Sequence, residues 1–109
     1  MIVRRNFAQV VIISFHTKTE NFESDYDRSK FFKGLYGWKQ TISKEKKKYL
    51  YRRNGLLDEV PHVKIADSVF MTAMENLKRI EEYFDQWERK VDYEIMEAMM
   101  ERKRLREII

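Results

Sequence analysis

AMENLKRIEEYFDQWERKVDYEIMEAMMERKRLRE, residues 73–107, decides the fold. It holds no Gly and no Pro, and Met, Glu, Leu, Lys, Arg and Ala, all good helix formers, dominate it. Thr72 and Glu75 just ahead have the spacing of a capping box, which places a helix start at about Ala73. At ~1.5 Å per residue the helix would be a rod of roughly 50 Å, longer than a small domain needs. Apolar residues recur at Leu77, Ile80, Phe84, Trp87, Val91, Ile95, Ala98, Leu105 and Ile109, interrupted by Arg102. Their mean step is close to ~3.6 and not ~3.5, which favours a nearly straight helix pair over a tight supercoil. The half up to Trp87 is expected to pack on the rest of the domain. Beyond Val91 no segment remains to cover the stripe, so Phe84, Trp87, Val91, Ile95, Ala98, Met99 and Leu105 are expected to form an oligomerisation face. Met96, Met99 and Met100 widen it into an adaptable surface, leaving dimer and tetramer both open.

Outward from that stretch, residues 1–72 read as an α+β region. Ile2 to Thr17 alternates as a strand with two largely apolar faces, Phe7, Gln9, Val11, Ile13 and Phe15 on one and Ala8, Val10, Ile12, Ser14 and His16 on the other. This argues for a central strand covered on both sides. Ser24 followed by Asp25 and Asp27 caps a short helix running to Tyr36, stopped by Gly37. Trp38 to Ile42 and Lys48 to Arg53 read as a hairpin around a charged loop, with Ile42 opposite Tyr49, Gln40 opposite Tyr51 and Trp38 opposite Arg53. After the Asn54-Gly55 turn and Pro61, His62 to Ala66 alternates again, and Val69-Phe70-Met71 has strand character. The predicted fold is therefore α+β, a small antiparallel sheet of four to five strands with one short helix and a long C-terminal oligomerising helix.

The chain has 109 residues, 43% apolar and 14% aromatic, enough for one compact domain. Without cysteine, disulfides, thiolate chemistry and cysteine-ligated zinc are excluded. The longest apolar run, Val10 to Ile13, is far below the ~20 residues of a membrane-spanning helix, and the expectation is a soluble, cytoplasmic protein. The 37% charged residues, with only three Gly and one Pro, suit a heat-adapted protein. The net charge of +4 conceals segregation: residues 28–53 carry +9, residues 54–101 carry −7 and residues 102–109 carry +3. Such a division suggests a module facing a polyanion joined to an acidic element that does not.

No catalytic constellation, phosphate-cradling loop or metal-ligand set is readable, so neither an enzyme nor a cofactor is expected. The informative pattern is basic residues interleaved with rings between Lys30 and Arg53. Lys30, Lys33, Lys39, Lys46, Lys47, Lys48, Arg52 and Arg53 are candidate phosphate contacts. Phe31, Phe32, Tyr36, Trp38, Tyr49 and Tyr51 are candidate stacking rings. Single-stranded DNA or RNA is held by this combination, each stacked base contributing ~1–3 kcal/mol. An adaptor working through the acidic C-terminal helix, or an RNA- or duplex-DNA-binding regulator, is the alternative.

The order of these elements resembles that of the ThermoDBP-like single-stranded DNA-binding proteins of thermophilic archaea. The likeness lies in the opening FAQVVIISF, the aromatic helix DRSKFFKGLYGW, the basic hairpin KQTISKEKKKYLYRR and the closing MENLKRIEEYFDQWERKVDYEIMEAMMERKRL. It implies a sheet packed with helices, a cleft lined by rings and edged with bases, binding of single-stranded DNA with little sequence preference, and assembly through the C-terminal helix. The departure is a zipper rich in aromatic residues and methionine where a leucine zipper repeats leucine.

Overall fold

Strands β1 (Phe7–Thr17), β4 (His62–Ala66), β5 (Val69–Ala73) and β6 (Val91–Glu101) form one antiparallel sheet of order β4-β5-β1-β6. The structure is a computed structural model that describes residues 6–109, so residues 2–5 of the expected first strand lie outside it. β1 is central because both its faces are apolar and both its edges are paired, with β5 on one side and with β6 over its whole length on the other.

One face of β1 presents Val11, Ile13 and Phe15 to a core that also buries Phe70, Phe31 and Leu35 from helix α1 (Asp25–Tyr36), and Ile80 and Phe84 from helix α3 (Leu77–Asp85). Phe15, Phe31 and Phe84 meet one another with ring centroids 5.6, 5.4 and 5.8 Å apart. These are edge-on or tilted contacts that aromatic quadrupoles favour. The other face is covered more thinly. Val10 and Met71 are buried there, whereas Ser14 and His16 are exposed. Helix α4 (Arg102–Ile108) packs against β1 and β6.

The long C-terminal helix is not formed. Residues 73–107 run instead through a 3-10 turn (Met74–Asn76), α3, a turn, β6 and the seven-residue α4. Among the described residues the chain has six strands in two antiparallel sheets and four short α-helices, not four to five strands closed by one long rod. Two local causes are visible. Thr72 stays in β5, its Oγ1 donating to the Pro61 carbonyl (2.6 Å) and accepting from Asn76 Nδ2 (2.9 Å), so it does not cap a helix. Val91-Asp92-Tyr93-Glu94-Ile95 alternates with period two, and in this conformation it completes the ladder that the second edge of β1 requires. The reversal needs no glycine: Gln86, Trp87, Lys90 and Val91 donate backbone bonds to Tyr83, Phe84, Trp87 and Trp87, and Asn21 Nδ2 donates to the Arg89 carbonyl (2.7 Å).

The oligomerisation stripe is accordingly dispersed. Phe84 and Val91 are core, and Trp87 is half-buried against Phe22 and Phe31. Ile95 and Met99 lie on one face of β6, Ala98 on the other and Leu105 on α4.

A candidate nucleic-acid interface

The second sheet is a hairpin of β2 (Trp38–Lys44) and β3 (Lys47–Arg53) that pairs with no other strand among the described residues. Its register has Ile42 opposite Tyr49, Gln40 opposite Tyr51 and Trp38 opposite Arg53, the pairs expected from the sequence, and Lys44 pairs with Lys47 across a two-residue turn. Seven residues per strand make a ribbon roughly 24 Å long. Every residue of β3 is exposed, and β2 is exposed but for the half-buried Trp38 and Gln40.

A free two-stranded ribbon is marginal in water, so its base must be held. α1 starts at Ser24, whose Oγ accepts from the Asp27 N–H, and ends at Gly37, which takes φ 79° and returns its N–H to the Lys33 carbonyl. That positive φ turns the chain directly into β2. Arg52 then closes the base: its guanidinium donates to both Asp58 oxygens (2.8 and 2.7 Å) and to the Tyr36 carbonyl (2.8 Å). Asp58, in the four-residue helix α2 (Leu56–Glu59), also accepts the Gly55 N–H, and the Arg52 bond, followed by this one, holds its carboxyl below the usual range.

The expected site residues divide into four groups. Phe31 is fully buried in the core and cannot stack on a ligand. Phe32 and Tyr36 are half-buried and stack on each other with centroids 6.4 Å apart, and the Tyr36 hydroxyl donates to the Asp67 carbonyl. Burial and the nearby Asp67 raise that phenol's pKa. Arg52 is engaged by Asp58 and the Tyr36 carbonyl, which makes it an anchor of the ribbon's base.

The remaining residues, apart from Lys30 on α1, share the ribbon or its root. Trp38, Gln40, Ile42, Lys44, Lys47, Tyr49, Tyr51 and Arg53 occupy one face by register. Tyr49 is 42% and Tyr51 46% exposed, far beyond what core rings show here. Lys33 Nζ sits 4.5 Å from the centroid of the Trp38 ring, and Arg53 lies 5.9 Å from that of Tyr51 while its Nε donates to Gln40 Oε1 (2.7 Å). The opposite face carries Lys39, Lys48 and Leu50. Lys30 reaches the Tyr26 ring on α1 (5.1 Å). Lys39, Lys44, Lys46, Lys47 and Lys48 make no ion pair with any described residue.

Sequence reasoning did not anticipate Lys64, whose Nζ lies 5.0 Å from the Tyr36 ring centroid, or the exposed Leu50. The sequence gives no sign of the backbone that the turn residues Glu45 (φ 51°) and Lys46 (φ 67°) adopt. Both take the left-handed conformation of a type I′ turn, for which Asn-Gly is the favoured pair. No group of three or more His, Cys, Asp or Glu residues suited to a metal occurs among the described residues. No described helix is long and apolar enough to cross a membrane. No family profile, curated protein or solved structure matches the chain.

Proposed function

We propose that the β2-β3 ribbon binds single-stranded nucleic acid without catalysis, its ring-bearing face stacking on bases and its lysines tracking phosphates. The observation that carries this reading is the exposure of Tyr49 and Tyr51 on a ribbon whose five neighbouring lysines have no acidic partner among the described residues. Rings left in water beside unpaired cations form a stacking surface with a phosphate-binding edge. The turn supports it: holding Glu45 and Lys46 at positive φ costs on the order of 1 kcal/mol that Asn-Gly would avoid, and it keeps a lysine at the tip. The likeness to the ThermoDBP-like proteins points to the same ligand class, but without its closing helix the proposal stands on the ribbon.

A duplex is the second reading, favoured by one observation: a free two-stranded ribbon is one of the two elements that fit the major groove of B-DNA. Titrating single-stranded DNA, RNA and duplex of one length against Trp fluorescence at several salt concentrations separates these. The single strand should bind most tightly, with a log–log salt slope of about −0.7 per phosphate contact. Preference for duplex would select the groove reading. Absence of binding at low salt would remove both.

A further inference from the structure

The outer edge of β6 is open among the described residues, and it is a long one: eleven residues paired without a bulge to β1 on the inner side. Lys18 N–H donates to the Lys90 carbonyl, which fixes the phase of that ladder. Residues 92, 94, 96, 98 and 100 therefore spend their backbone groups on β1, and Tyr93, Ile95, Glu97 and Met99 turn theirs outward. β6 contains no Lys, Pro or bulge to blunt this edge, and its charges are the four carboxylates of Asp92, Glu94, Glu97 and Glu101. Ile95 (37%), Met96 (64%) and Met99 (46%) are exposed along it.

We propose that β6 pairs antiparallel with β6 of a second copy of this chain, joining two four-stranded sheets into one of eight about a two-fold axis at Met96. Strand length selects the register, because only an axis at Met96 pairs all eleven residues of β6 with their counterparts, and in that register no two carboxylates stand directly opposite. Full-length pairing of Val91–Glu101 with itself is centred on Met96, and it sets Asp92 opposite Met100, Glu94 opposite Ala98, Glu97 opposite Ile95 and Glu101 opposite Val91. Every carboxylate then faces an uncharged side chain, whereas centring on Glu94 or Glu97 would oppose two carboxylates. The same register opposes the outward-turned pairs, Tyr93 with Met99 and Ile95 with Glu97, giving about eight new backbone hydrogen bonds. It also brings each Met99 sulfur beside a tyrosine ring, a favourable contact. The inference is independent of what the ribbon binds.

Because the chain has no cysteine, a single one reports the register. Met96→Cys should form a disulfide-linked dimer under mild oxidation, because non-hydrogen-bonded antiparallel pairs place Cα atoms about 4.5 Å apart, within disulfide range. Ile95→Cys, opposite Glu97, should cross-link far less. Sedimentation equilibrium should find the unsubstituted protein dimeric, and Met96→Lys, with two ammonium groups facing at the axis, should weaken that dimer at least tenfold with unchanged circular dichroism. A monomer at every concentration over a roughly hundredfold range overturns the proposal. So does a dimer in which Ile95→Cys cross-links as readily as Met96→Cys. Should Met96→Lys fail to fold, the two cysteine variants still decide the matter.

Discussion

Phe31 and Tyr51 are aromatic residues of the same basic segment, and exposure alone separates their roles. Phe31 has no accessible surface and touches Phe15, Phe32, Tyr83, Phe84 and Trp87, whereas Tyr51 is nearly half exposed. Phe31→Ala should cost ~3–5 kcal/mol in urea unfolding, the usual range for a buried phenylalanine. Tyr51→Ala should leave the unfolding midpoint within about 0.5 kcal/mol and weaken oligonucleotide binding by ~1–3 kcal/mol. Spacing could not distinguish them, because whether a ring at an alternating position meets a second layer is a property of the fold. Arg52 poses the same problem in charge: among ten basic residues of residues 28–53, only the structure reveals that its guanidinium is held by Asp58. That pair makes an acid-sensitive anchor. With the folded pKa of Asp58 lowered by Arg52, its stabilisation is fully present above the unfolded value of ~3.9 and is lost as pH falls through the folded value. Asp27 behaves in the same sense, lowered chiefly by its bond from Lys90 (2.6 Å). Asp58→Asn should therefore be less stable than the unsubstituted chain near neutrality, and the two unfolding curves should converge below the folded pKa.

At the level of elements, the readable parts were those with one dominant period or an explicit stop signal. The helix Asp25–Tyr36 is bounded by Ser24 and Gly37, and the hairpin register follows from alternation together with a short charged loop centred on Glu45-Lys46. Residues 84–101 carried two periods at once. Phe84, Trp87, Val91, Ile95 and Ala98 fit a helical stripe, while Val91, Tyr93 and Ile95 fit a strand. Propensity favoured the helix, and the ladder along β1 decided for the strand, a tertiary requirement overriding a local one. The signal that would have revealed it was the two-faced apolar pattern of β1, which marks an interior strand whose backbone groups need a paired neighbour on each edge. The ribbon's turn yields its own prediction. Replacing Lys46 (φ 67°) by glycine removes a left-handed side-chain conformation and should raise stability by up to about 1 kcal/mol in thermal unfolding, at the cost of one phosphate contact. The salt slope for a single strand should then become shallower by ~0.7.

The whole molecule is extended, with principal dimensions of 66 × 35 × 21 Å and a radius of gyration of 17.1 Å, against about 13 Å for a compact chain of this length. Its charge is divided in the same way, basic on the ribbon and acidic along α3 and β6, so a polyanion is drawn to one part and repelled from the other. Pairing through β6 would double this arrangement. A two-fold axis normal to the sheet keeps the helical layers of both copies on one face, so both ribbons would rise from the same side of an eight-stranded sheet. A strand long enough to reach both would bind the second ribbon intramolecularly, at an effective concentration far above that of free protein. Affinity for a long oligonucleotide should then exceed that for one covering a single ribbon by ~10²-fold or more, and Met96→Lys should remove most of that length dependence while leaving short-strand affinity nearly intact. The added lysine would by itself raise affinity for any polyanion, so a loss confined to the long strand cannot be an effect of charge. If the protein is dimeric through β6 and the advantage is still absent, the ribbons do not act on one strand together, and each copy binds alone.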